Sequence, residues 1–593
     1  MTQDVAVAQS AVSAQTHATV PTIDAAGLRD RVVRVTQGNG EVAIIDVREE
    51  RLYTEGLILF STNLPYSRFE LLLAARLPRR DVPVVLVDRQ GELSARAAGR
   101  LHALGYTDVS ILAGGVQAWQ RAGNPLYRGF NVRSKAFAEI IEHELATPTL
   151  SATELVERRA RGDDIVVLDS RRFVEYQDST VPGAISVPGA ELVRSVRDLA
   201  PTPSTTIVVS CGGRTRSIVG AQSLISAGVP NPTFSLRNGT GGLRLDDLPR
   251  EFGATRSYGE TSTEGLRWAT DAARRLSALA DTPALDPQQF ARWRADTSRT
   301  LYVLDLRPAD EYETEHLKDA RNVSGGQLLQ EIDIHAPVWG ARVVLVDDAA
   351  AVRSGVTAFW LAQLGWFEVA RITHDASYGE LATGPASQAL LRGESIAASA
   401  PNHTSTTPNE LADSLRQASG TTAPPLIYDL SLSPAYQRGH IAGSQWLLRE
   451  QLDTVLRQAP TGQRVILTSE DGAFAELALT TLAAFTGNAP VHTVDVRLLA
   501  GGNRAWLTAG LPLVAAEGDE LLDTARFVDA WTAPQRTVGD TLGAIRAYLD
   551  WEIELLHQLE DDADRSLLIR GVQSPAAASA SSTSPAASAR HTR

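Results

Sequence analysis

One cysteine, Cys211, and one methionine serve all 593 residues of this chain. A single thiol excludes any disulfide within the chain, so burial and hydrogen bonding have to hold the fold. No run of about 18 apolar residues is present to span a bilayer. The start, Met1-Thr2-Gln3-Asp4-Val5-Ala6, lacks the basic residues and apolar core of a signal peptide. Basic charge is also short: 56 Lys and Arg stand against 70 Asp and Glu, a net charge of −14. Nucleic acid is thereby excluded as a general partner, because neutralising phosphates needs a basic face. These absences lead us to expect a cytoplasmic protein, in a reducing compartment where a reactive thiol survives, with no membrane partner, no metal and no cofactor.

What is present is a repeat. Apolar strands ending in aspartate occur at Ile44-Ile45-Asp46, Val167-Leu168-Asp169, Val303-Leu304-Asp305 and Ile427-Tyr428-Asp429. Each is followed by a second apolar strand, at Val84 to Val87, Ile207 to Ser210, Val343 to Val346 and Val465 to Thr468. Two copies close almost identically, with Leu112-Ala113-Gly114-Gly115 running to Trp119 and Leu499-Ala500-Gly501-Gly502 running to Trp506; the third has Thr373-His374-Asp375 there. Strands alternating with helical patterns predict an α/β fold: four tandem domains, each a mainly parallel central sheet flanked by helices, plus a C-terminal helical extension. The expected boundaries are a flexible tail over 1–21, module 1 over 22–130, a helical linker over 131–147 and module 2 over 148–252. A second helical linker follows over 253–281, then module 3 over 282–388, module 4 over 404–515, helices over 516–570 and a disordered Ser/Ala/Pro tail over 571–593. Apolar positions including Leu521, Leu522 and Ala525 and then Ile545, Leu549 and Ile553 read as amphipathic helices, a docking surface or oligomer contact.

Cys211 ends the strand Thr206-Ile207-Val208-Val209-Ser210 and opens Cys211-Gly212-Gly213-Arg214-Thr215-Arg216-Ser217, after which Ile218 to Ala227 has helical spacing. A strand-to-helix turn of this kind aims its backbone N–H groups into one small bowl, which suits an anion. Gly212 and Gly213 bend freely, and Arg214 and Arg216 add charge that does not titrate away. Such surroundings lower a thiol pKa, so Cys211 is expected to be substantially ionised. A lone cysteine is more often a small buried hydrophobe. Two glycines and two arginines around a turn have no part in that role, so the nucleophile is the better reading.

These residues resemble the active loop of the rhodanese-like sulfurtransferases. Four residues separate Cys211 from Arg216, as in that family, whereas the related dual-specificity and tyrosine phosphatases carry five; the tighter loop disfavours phosphoryl chemistry. Asp169-Ser170-Arg171, Glu175-Tyr176 and Val181-Pro182-Gly183-Ala184-Ile185 also match the family's framework, with Thr180 and Val181 where His and Ile are usual. Leu236-Arg237-Asn238-Gly239 matches its Gly-rich closing segment.

The resemblance implies a thiosulfate sulfurtransferase that works by ping-pong turnover. Cys211 is then the catalytic residue, taking sulfane sulfur as a persulfide from a small anionic donor and passing it to a thiol, cyanide or a protein acceptor. Gly212, Gly213, Arg214, Thr215, Arg216 and Ser217 bind the donor and persulfide, with Arg214 and Arg216 on the donor's sulfonate and Ser217 as a candidate helix cap. Asp169 and Arg171 form a supporting ion pair. Aligned by the following helix, Asp88, Asp348 and Ser469 take the cysteine position in the other copies, which become inactive modules. The competing readings are a redox sensor or sulfur-carrier scaffold without turnover, and a 3-mercaptopyruvate sulfurtransferase, whose loop usually carries fewer charges.

Overall fold

The computed structural model describes residues 20–365, 367–385, 404–417, 423–486, 494–516, 526–537, 539–560, 565–566 and 569–572. The expected tails over 1–21 and 571–593, save a few residues, the 386–403 stretch leading from module 3 into module 4, and Leu521, Leu522 and Ala525 lie outside the described residues.

Runs rich in Val, Ile and Leu make the central strands, most of whose residues are buried, so they read as near-continuous apolar runs. In module 2 five parallel strands lie in the order Thr149–Leu150, Thr233–Leu236, Thr206–Ser210, Ile165–Asp169, Ile185–Ser186. Module 4 repeats that order with Thr404–Thr406, Asp495–Leu499, Arg464–Thr468, Leu426–Asp429 and Gln445–Trp446. Helices flank every sheet, giving the four α/β modules expected from the repeat. In register, Asp169 pairs with Ser210, so the strand carrying Cys211 ends beside the strand carrying Asp169. Ligand sites of α/β sheets gather at this carboxyl edge.

The modules interlock. Val338–Trp339 of module 3 adds antiparallel to Val42–Asp46 of module 1, with Trp339 opposite Val42, and so covers an edge that would otherwise be open. Glu41 of module 1 is buried at this junction and accepts from the backbone and hydroxyl of Thr300, at 2.8 and 2.7 Å, and from Arg79 and Arg299. Modules 2 and 3 pack through the helix Thr263–Leu279, whose buried alanines Ala269, Ala272 and Ala273 allow close approach; Gly355 of module 3 lies so near that a Cβ there would be 2.9 Å from the Ala273 carbonyl. Module 4 joins module 1 through Arg449, fully buried, which donates to Glu70 and to the Tyr66 carbonyl at 3.1 Å. A buried pair of this kind adds little over apolar packing, yet losing one partner costs about 3–5 kcal/mol, so it fixes how the two modules sit.

Two further helices converge on module 2. Val132–Leu145 joins modules 1 and 2, with Val132 to Ile141 all buried. Thr541–Glu560 follows module 4 and returns across the chain to pack on that linker helix and on Gly239–Leu245 of module 2. A stacked Phe130–Trp531 pair and the Trp551 ring lying on Gly129 tie this return to module 1.

Candidate active site

Cys211 lies directly after the strand Thr206–Ser210, and the helix that follows begins at Thr215, three residues earlier than its apolar spacing suggests. Arg214 occupies the cap position and caps no amide with its side chain. Ser217 does not cap the helix either: its hydroxyl donates to the Arg214 carbonyl at 2.8 Å and receives the Cys211 thiol at 3.4 Å. The thiol is therefore turned toward the first helical turn. Cys211 is only 2% exposed, so the thiol is shielded from open solvent.

The Gly-rich segment supports this loop from below. Thr240 N–H donates to the Cys211 carbonyl at 2.9 Å and Gly241 N–H to the Gly212 carbonyl at 3.2 Å. Gly239 makes the approach possible: its φ is +51°, and a Cβ there would stand 2.1 Å from the Cys211 carbonyl oxygen. The Asp169–Arg171 ion pair forms as expected of a framework, with Arg171 Nε and Nη2 at 2.9 and 2.7 Å from the two carboxylate oxygens. Thr180, at the position where modules 3 and 4 have His316 and His440, donates its hydroxyl to Asp169 at 2.7 Å.

The two loop arginines are arranged differently from the expectation that both orient a donor. Arg214 is held by Glu139 of the linker helix, 2.7 Å to each carboxylate oxygen, and also by Glu142. Arg216 makes a bidentate pair with Glu175 at 2.8 Å. Both guanidinium groups thus answer carboxylates and fix the loop to neighbouring helices. Burial pushes Glu139 up to about 7 even with Arg214 beside it. Glu175 behaves oppositely: burial opposes its charge, but its hydrogen bonds to Arg216, helped by Arg172, bring it down to about 2. Its stabilising contribution is full above the ordinary carboxylate value of 4.5 and is lost as pH falls toward 2. Urea midpoints measured between pH 5 and pH 2.5 should therefore fall, and fall less steeply in Glu175→Gln; parallel curves for the two proteins would contradict the pairing.

Sequence reasoning missed the other wall. Lys135, buried on the linker helix one turn before Glu139, lies with its ammonium 3.9 Å from Glu552 of the helix Thr541–Glu560. Glu552 Oε1 accepts from the Tyr548 hydroxyl at 3.0 Å, and the ammonium sits 5.4 and 5.9 Å from the Tyr548 and Trp551 ring centres. This group rests on the cysteine loop: a Cβ on Gly213 would be 3.2 Å from Glu552 Oε2 and 3.7 Å from Tyr548 Cε1. Burial lowers Lys135 and raises Glu552, each partly offset by the other, and Lys135 also feels the charges of Arg216 and Cys211. One signal was available, since the chain holds only two lysines, Lys135 and Lys318. Lys318 is exposed and pairs with Glu380.

The other modules show what the loop does without a cysteine. In module 1 the Asp88 carboxylate folds into its own bowl, receiving N–H groups from Gln90 at 3.0 Å, Leu93 at 2.6 Å and Ser94 at 2.9 Å, and from Gly91. In module 4 Ser469 holds the position, with Asn503 N–H on its carbonyl at 2.9 Å. In module 3 the position belongs to Asp347, not Asp348. Leu306 N–H reaches the Val346 carbonyl as Ser170 N–H reaches that of Ser210, which makes the next residue, Asp347, the counterpart of Cys211. The loop there is one residue longer, from Asp347 to its contact at Ser354, so counting back from the helix falls one short.

The rhodanese-like domain family matches the chain four times, over residues 32–122, 151–244, 286–374 and 407–509. The chain is similar to a thiosulfate sulfurtransferase from Pseudomonas aeruginosa, whose crystal structure matches with a TM-score of 0.81 at 39% identity, covering 91% of this chain and 98% of that one. SseB of Mycobacterium tuberculosis is 34% identical over 127 residues, which is 19% of this chain and 43% of SseB, so the chain spans less than half the length of that relative. YibN of Escherichia coli is 28% identical over 110 residues, 17% of this chain and 77% of YibN. Among the described residues, no helix is long and apolar enough to cross a membrane.

Proposed function

The chain belongs to the rhodanese-like family, and we propose that its second module is a sulfurtransferase centre that stores sulfane sulfur on Cys211. The observation that carries this reading is the bowl of module 1. There the Asp88 carboxylate stands in for a bound anion, and four loop amides converge on it. The equivalent amides of module 2 belong to Gly213, Arg214, Arg216 and Ser217, and the residue at the mouth is a cysteine instead of a carboxylate. Preorganised amides of this kind stabilise negative charge at low reorganisation cost.

The first half-reaction is attack of the Cys211 thiolate on the outer sulfur of an anionic donor such as thiosulfate. The new S–S bond forms as the donor's own S–S bond breaks, sulfite leaves with the electron pair, and the terminal persulfide sulfur carries the remaining charge over the loop amides. In the second, a thiolate or cyanide attacks that terminal sulfur and Cys211 departs as thiolate. No second cysteine exists to resolve the persulfide inside the chain, so the acceptor comes from outside. Intact-mass measurement tests this: incubation with thiosulfate should add about 32 Da, one sulfur atom, and cyanide should remove it. A chain that stays at its unmodified mass with every sulfane donor would rule the proposal out.

A further inference from the structure

We infer that Lys135, on the helix joining modules 1 and 2, is the cation that receives the anionic end of the sulfur donor, and that Glu552 and Tyr548 position it. The inference deepens the sulfurtransferase reading above and rests on it. Arg214 and Arg216 are each closed into short carboxylate pairs, and Arg171 is bound to Asp169. Lys135 is different. Its nearest carboxylate oxygen is at 3.9 Å, beyond hydrogen-bond distance, while the ring faces of Tyr548 and Trp551 hold the ammonium in place without neutralising it.

The partner of Lys135 is also incompletely engaged. Glu552 is 2% exposed, and its Oε2 is buried without a hydrogen bond while pointing at Gly213, two residues from the thiol. The ammonium and the carboxylate lie 3.9 Å apart where the linker helix and the returning helix meet the cysteine loop, so an incoming anion competes with Glu552 for the charge of Lys135. An ammonium suits that place better than a guanidinium: it is compact and offers three donors in no fixed plane, and it contacts a tetrahedral sulfonate as a point charge. In a chain whose 56 basic residues include only two lysines, one of them occupies this spot. Because Lys135 lies outside module 2 and Glu552 beyond module 4, the donor site is composite.

The test compares alkylation of Cys211 by iodoacetate, which is anionic, and by iodoacetamide, which is neutral and nearly the same size. Lys135→Met should lower the iodoacetate-to-iodoacetamide rate ratio by about fivefold or more and raise the thiosulfate KM by about tenfold, with kcat at saturating donor nearly unchanged. Removing one buried charge leaves Glu552 unpaired, so Lys135→Met/Glu552→Gln serves as the second variant, lacking both charges; it should show the same loss of anion preference. Equal slowing of both reagents, or an unchanged ratio and KM in both variants, would overturn the assignment. A native chain that transfers no sulfur while the ratio still falls in Lys135→Met would remove the sulfurtransferase reading and leave the anion site standing.

Discussion

Replacing Cys211 by serine should abolish sulfur transfer, lowering thiosulfate-to-cyanide turnover by about three orders of magnitude or more and eliminating the mass gain with thiosulfate. Serine preserves the shape of the turn. The side chain is buried beside Ser217, so a hydroxyl there keeps a partner and the fold is expected to persist. The loss then belongs to chemistry, because a serine oxygen at neutral pH neither ionises in this bowl nor forms a stable link to sulfur. Circular dichroism and urea melts on the same samples separate this from unfolding. Residual turnover in Cys211→Ser above about a tenth of the native rate would place the reacting group elsewhere.

The second large effect is expected at Gly239. Alanine there would combine a positive φ with a Cβ only 2.1 Å from the Cys211 carbonyl oxygen and 2.7 Å from its carbonyl carbon. Backbone, unlike a flexible side-chain tip, does not move aside cheaply, so Gly239→Ala should cost roughly 2–4 kcal/mol and displace the cysteine loop. Gly228 offers the comparison: its φ is +81°, but open space surrounds the position of a Cβ. Gly228→Ala should therefore lose only about 1 kcal/mol and keep its activity. If urea melts and turnover were the same for the two variants, the close packing of the Gly-rich segment under Cys211 would not matter. The same approach recurs at Gly115, where a Cβ would stand 2.3 Å from the Asp88 carbonyl oxygen, and at Gly502, where it would stand 2.1 Å from that of Ser469. Modules 1 and 4 keep it although the nucleophile is absent, whereas module 3 has Thr373 there and retains only the following N–H, from His374 to the Asp347 carbonyl at 2.7 Å.

The repeat and the α/β architecture were legible because they rest on short-range patterns: buried strands written as apolar runs, aspartate at their ends, paired glycines at the close. The strand-to-helix turn at Cys211 was legible for the same reason. What escaped depends on contacts far apart in sequence. Glu139 and Glu142 are plain in the chain, but reading their helix for its apolar stripe alone gives no reason to pair them with Arg214. Lys135 meets Glu552 across more than 400 positions, and no local periodicity announces that meeting. The two-residue strand Val338–Trp339 carries too little pattern to reveal that it completes the sheet of another module. The Asp347 correction has a different origin: one extra loop residue shifts any count made from the helix, and only the hydrogen-bond register shows where the strand ends.

The helix Thr541–Glu560, which rests on the Cys211 loop, emerges from the ribosome after all four modules have been made. A chain cut short after module 4 therefore lacks Tyr548, Leu549 and Glu552 against Gly213, and nothing made earlier supplies that contact to the loop.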